Sequence, residues 1–196
     1  MSGMNLLSPA EVSACFGRAG IPSRFSANEA ARLEATEPVG GPGYFVFPTP
    51  EENQHLSVLG LRRLLGLSPE GGPCFFFDHP WYLEEPFGEI PLRPGWHAVA
   101  MTPLERSLGQ PVYYAEELRS ERLFLPHACE VVLMVFLAMM AGGDRLLARK
   151  HTWTRDRTTG RRFVSVGAFG GKGLFLSSHE VGYASRGLGI CPARDV

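Results

Sequence analysis

Between Asp144 and Arg162 the chain sets Arg145, Arg149, Lys150, Arg155, Arg157, Arg161 and Arg162 against two acids, with Trp153 among them. Guanidinium groups are planar forks of donors, so such a run could hold an acidic protein, a phosphate-bearing ligand or nucleic acid. The plain alternative is the solvated face of a hairpin with ion pairs to acids elsewhere. The chain as a whole is not basic, with a net charge of -1, and no nucleic-acid-binding motif accompanies the run, so nucleic acid is not expected as a partner. His179, Tyr183 and Arg186 fall in a later loop-like segment that could add stacking and charge to the same surface, and Lys172 follows a glycine pair between them.

Other groups suggest catalysis less strongly. Asp78 and His79, with Glu84 nearby and His97 beyond, form the best hydrolytic or metal-binding candidate, although loop capping explains the same residues. The six histidines are too widely spaced for any local pair of metal ligands. His127 and Cys129 stand at a helix start, where a thiol could be activated, but residues two apart on a helix do not face each other. VGAFGGKGLF lacks the Gly-Lys-Ser/Thr opening of a phosphate-binding helix, so its glycines read as a hairpin turn. No catalytic residue, metal or cofactor is expected.

The elements that must position these groups can be read from periodicity and punctuation. RLFLPHACEVVLMVFLAMMAGG predicts a helix after Pro126 that is apolar on nearly every side, hence enclosed by other elements, and stopped by Gly142 and Gly143. Its apolar run Val131 to Ala141 is about 16 Å of helix against a bilayer core of about 30 Å, so it is a buried helix and no membrane partner is expected. Beyond it, residues 161–168 and 173–177 predict antiparallel strands with turns at Thr158-Thr159-Gly160 and Gly170-Gly171. Upstream, Ser8 with Glu11, Ser26 with Glu29 and Thr49 with Glu52 have capping-box spacing, and Thr102 with Glu105 opens a short helix ending near Gly109. The helix from Pro50 carries Leu56, Leu59 and Leu64 on one side and ends at Gly66. Runs 44–47, 74–77 and 96–101 read as strands. The segment 78–95 between the last two reads as a packed loop, because Trp81, Tyr82, Leu83 and Phe87 carry too much apolar surface to be left in water.

At 196 residues, one domain is the expectation: an α/β extension over residues 1–95 packed on a core over 96–196, an α+β class in all. Residues 1–143 hold 9 Lys+Arg against 16 Asp+Glu, and residues 144–196 hold 10 against 4, so nets of -7 and +6 should attract each other. The start MSGMNLLSPA has no basic segment leading into an apolar stretch. With Cys15, Cys74, Cys129 and Cys191 widely spaced, the expected compartment is the cytoplasm and the expected state is four thiols.

From Leu123 onward the order of motifs resembles small C-type-lectin-like domains of the Fibrobacter major-paralogue family and of the Legionella collagen-like adhesin's C-terminal domain. Those show a Leu-Pro-Thr-x-x-Glu helix opening, a Trp-Ser/Thr-Ser/Thr segment and a last strand ending Arg-Cys-Val. Here Leu125, Pro126 and Glu130 match the first with His127 in place of Thr, Trp153 and Thr154 match the second, and Cys191 falls where the third has cysteine. Leu-Gly-Ile precedes Cys191, and the first 95 residues have no counterpart. Glu-Pro-Asn and Trp-Asn-Asp triplets are absent, so calcium-dependent sugar binding is not inherited. Cysteine-dependent formylglycine-generating enzymes share such folds, but this chain lacks their length and paired C-terminal cysteines. The resemblance implies a scaffold of one buried helix and short strands whose outer loops recognise a ligand.

The leading expectation is a non-enzymatic module that binds a protein or small polar or anionic ligand through Arg155, Arg157, Arg162, Lys172, His179, Tyr183 and Arg186. The alternatives are a small enzyme using Asp78, His79, Glu84 and His97, and a structural homo-oligomer joined by aromatics near Trp81.

Overall fold

Two small sheets share one buried helix in a computed structural model that describes residues 5–36 and 38–194. In chain order its elements are β1 (Asn5–Leu6), α1 (Pro9–Ala19), α2 (Ala27–Glu34), β2 (Tyr44–Thr49), α3 (Val58–Leu65), β3 (Gly95–Ala100), α4 (Ala115–Leu118), α5 (Ala128–Gly142), β4 (His151–Arg157), β5 (Phe163–Gly170), β6 (Gly173–His179), β7 (Leu188–Gly189) and β8 (Ala193–Arg194). The class is α+β. The first sheet runs β1-β2-β3-β8 and the second β6-β5-β4-β7.

α5 is the post between them. Every residue from Val131 to Ala138 is buried, and the helix touches strands of both sheets as well as α1 and α3. A helix with no polar stripe has no face to give to water, so the chain must wrap it on all sides. Gly143 ends it in the left-handed conformation that glycine adopts freely (φ 79°). No helix among the described residues is long and apolar enough to cross a membrane.

Capping boxes start α1 and α2 as the spacing predicts: Ser8 with Glu11, and Ser26 with Glu29. Thr49 behaves otherwise. It is the last residue of β2, paired with Gly95, and its hydroxyl donates to the Arg93 carbonyl at 2.6 Å, so the ladder holds it and no helix opens at Pro50. The helix begins eight residues later at Val58, capped by Ser57, whose hydroxyl accepts from the Gly60 amide, and Leu64 is exposed rather than on the packed side. The Thr102 helix is likewise a single tight turn at Glu105–Ser107 entered from Leu104.

Of the strand expectations, 44–47 and 96–101 are β2 and β3, and 161–168 and 173–177 are β5 and β6. Residues 74–77 make only a short parallel bridge: Leu174 donates to Phe75 O and Phe77 to Leu174 O. A Cβ on Gly173 would lie 2.6 Å from the Phe76 backbone, so this contact requires glycine there. Through that bridge residues before 95 touch the second sheet, and the β2–β3 ladder joins them to the first. A boundary at residue 95 therefore falls inside a ladder, and one buried cluster runs through both parts.

Electrostatic attraction between the acidic and basic parts is not realised as ion pairs. Among the described residues only His127–Asp156 joins residues before and after 143; the acids of the first part pair with its own arginines, as in Arg32–Glu51 and Arg63–Glu89.

Candidate functional site

β4 turns Arg155 and Arg157 outward and Asp156 inward. The pattern falls where the register between β4 and β5 shifts, between Trp153 and Arg157. The inward carboxylate accepts from His127 Nδ1 at 2.9 Å and from the Ala128 amide, which anchors β4 to the start of α5, while the Arg155 amide donates to Pro126 O at 2.9 Å. The Arg157 guanidinium lies over the Phe163 ring, 4.2 Å from its centre.

Arg155 and Arg157 line a groove of about 430 Å³ whose other side chains come from the segment around α4, including Tyr113, Arg119 and Phe124, and from Val181. Tyr113, Phe124 and Val181 are 62%, 38% and 54% exposed, a concentration of apolar surface beside cations. Arg119 is paired with Glu116 at 2.9 Å. Neither Arg155 nor Arg157 has an acidic partner among the described residues.

The β5–β6 ladder brings the second predicted segment to the same end of the sheet. Phe163 is registered with His179, so the hairpin turn and the loop after β6 are neighbours. Arg162 ties them, donating to Ser178 O at 2.9 Å and pairing with Glu180 at 3.5 Å. His179 stacks on Tyr183 with ring centres 4.3 Å apart, meets Trp153 edge-on and lies 3.2 Å from Ser165 Oγ. Burial, then the nearby Arg162 charge, pushes its imidazole below the usual range, so the stack is one of neutral rings at neutral pH.

Of the seven predicted residues, Arg155 and Arg157 line the groove, and Arg162, His179 and Tyr183 gather at the same end of the second sheet but outside that lining. Arg186 is exposed further along the loop, without an ion pair among the described residues. Lys172 is separated from the others. It sits in the β5–β6 turn at the far end of a strand eight residues long, roughly 20 Å from the hairpin at 3.3 Å per residue.

The alternative catalytic set does not assemble. Asp78 is exposed and pairs with Arg62 at 3.2 Å, His79 is exposed edge-on to Phe77, Glu84 is exposed, and His97 is buried on β3 among other partners. Among the described residues no three His, Cys, Asp or Glu side chains gather as metal ligands do. Cys129 and His127 diverge: the thiol donates to Leu56 O and burial raises it well above its ordinary range, whereas the imidazole faces Asp156. All four cysteines are buried thiols, Cys74 and Cys191 pushed up to about 12 by burial. The aromatics near Trp81 are packed as well: Tyr82 is fully buried and Trp81 donates to Leu176 O, which leaves Leu83 as the exposed apolar member.

One polar cluster escaped the sequence reading. His97 Nδ1 lies 2.9 Å from Glu130 Oε1, and the other Glu130 oxygen accepts the His127 amide at 2.6 Å. His97 Nε2 is 3.0 Å from both Thr49 Oγ1 and Arg93 O. With the His127–Asp156 pair these groups wall a cavity of about 190 Å³ that Phe87 and Leu92 close on the apolar side. Burial would raise the Glu130 carboxyl, but the hydrogen bond and charge of His97 and the His127 amide outweigh it and hold the group below its ordinary value. The three-residue spacing of His127 and Glu130 was a usable signal for the local contact; the approach of His97 and Asp156 from two other strands was not visible in any spacing.

No protein-family model, curated protein or solved structure matches this chain.

Proposed function

We propose that this chain is a non-enzymatic recognition module of C-type-lectin-like organisation, which takes a protein or a small polar, anionic ligand into the groove between β4 and the α4 segment. The observation that carries the reading is the pair Arg155 and Arg157, exposed and without acidic partners among the described residues, beside exposed Tyr113, Phe124 and Val181. Guanidinium supplies bidentate contacts to an oxyanion, and neighbouring apolar surface supplies area that is favourable to bury. The lectin-like organisation is supported by the order of a buried helix followed by antiparallel strands packed on it. A cytoplasmic setting is supported by four buried cysteines that are all unpaired.

The test is an NMR titration with benzoate, a small aryl carboxylate. The guanidinium signals of Arg155 and Arg157 and the ring signals of Tyr113 and Phe124 should shift together, and Arg155→Ala with Arg157→Ala should abolish the response while keeping the parent's far-ultraviolet circular dichroism spectrum. Shifts that persist in that double variant would sink the assignment.

A second reading, a small hydrolytic enzyme, rests on the cavity walled by His97, His127, Glu130 and Asp156. Here Asp156 would orient His127 as a general base. Hydrolysis of p-nitrophenyl acetate should then fall at least about tenfold in His127→Gln, and an unchanged rate in the folded variant removes it.

A further inference from the structure

We infer that the occupant of the groove is an acidic peptide segment in extended conformation, with carboxylates two residues apart and an apolar residue between them. The inference rests on the groove being the binding site and adds the chemistry of what fills it.

Arg155 and Arg157 flank the inward Asp156 near the end of β4, where the register with β5 shifts, and both line the groove. An extended peptide laid along this wall presents its own i and i+2 side chains to one side, about 6.6 Å apart. Each guanidinium can then take one carboxylate through paired N–H···O contacts. The residue between the two carboxylates points to the other side of the peptide. Exposed Tyr113 and Phe124, which come from a different element of the groove wall, offer it apolar surface.

The acids around the groove restrict the ligand further. Glu116 lies in the lining and holds Arg119, and Glu180 holds Arg162 beside Val181. A continuous phosphate backbone laid through the groove would meet the Glu116 carboxylate in its lining, whereas two discrete carboxylates can be placed on Arg155 and Arg157, which have no acidic partner among the described residues. Charge complementarity thus favours a short acidic segment over a polyanion.

Fluorescence anisotropy on the full chain tests this with fluorescein-labelled Gly-Glu-Phe-Glu-Leu-Gly and its rearranged counterpart Gly-Glu-Glu-Phe-Leu-Gly. The alternating peptide should bind about tenfold tighter, the factor expected for one well-formed charged contact. Arg155→Ala and Arg157→Ala should each erase the preference, the first melting as the parent does and the second, which also loses the contact over Phe163, keeping the parent's far-ultraviolet circular dichroism spectrum. Equal binding of the two peptides overturns the proposed spacing but leaves the basic groove standing, provided benzoate still shifts Arg155 and Arg157. A short oligothymidylate that displaces the alternating peptide at equal concentration overturns the peptide class in favour of nucleic acid. Failure of both peptides and of benzoate to perturb either arginine overturns this inference together with the reading beneath it.

Discussion

At the scale of single residues, the buried polar groups divide into those with partners and those without, and each kind sets a pH dependence. Glu130 is ionised more readily than usual because His97 and the His127 amide serve its anion. Its stabilisation is therefore complete above the unfolded carboxyl value of about 4.3 and is lost as pH falls through the lower folded value. Removing the charge by Glu130→Gln leaves His97 facing a weaker acceptor at 8% side-chain exposure and should cost roughly 3 kcal/mol in urea unfolding at pH 7. His151 works in the opposite sense. Burial, with a smaller contribution from His179, pushes it down to about 4, and its Nδ1 has no hydrogen-bond partner among the described residues. The unfolded chain takes up that proton near pH 6.5 and the folded one does not, so stability should decline on the order of 3 kcal/mol between pH 6.5 and 4. His151→Gln should flatten that part of a plot of melting temperature against pH, and an unchanged slope would show that other groups cause it.

The elements illustrate how local signals are kept or overruled. Ser8 and Ser26 cap helices by accepting the Glu11 and Glu29 amides, whereas Thr49 is held in the β2–β3 ladder and the helix waits for Ser57. Leu133 lies at the middle of α5 with no exposed surface, so Leu133→Ala should cost about 2–5 kcal/mol by chemical denaturation, the range for a leucine deleted from a packed core. Gly173→Ala should also destabilise, because the added methyl meets the Phe76 backbone at a residue with φ +96°. Its effect should be seen first as loss of amide protection at Phe77 and Leu174, the two donors of that bridge. On β4 the outward placement of Arg155 and Arg157 was not read from the sequence, which placed no strand at 151–157, and it falls where the register with β5 shifts.

For the molecule as a whole, the ladder between β2 and β3 and the parallel bridge to β6 tie the first 95 residues to both sheets around α5. Tryptophan fluorescence and far-ultraviolet circular dichroism should consequently report coincident unfolding transitions; two separated transitions would mean the parts hold independent cores.

By itself the sequence determined the buried helix after Pro126 and the strands β5 and β6 that follow it. Each depends on residues close in the chain, through hydrophobic period, capping and strand alternation. Tertiary structure alone decided which distant groups share a wall. It joined Arg155 and Arg157 to Tyr113 and Phe124, brought His97 and Asp156 to one helix start, and moved Lys172 to the opposite end of the sheet. The physical reason is that ladder register and the packing of strands on α5 fix long-range neighbours, and no short spacing in the chain encodes them.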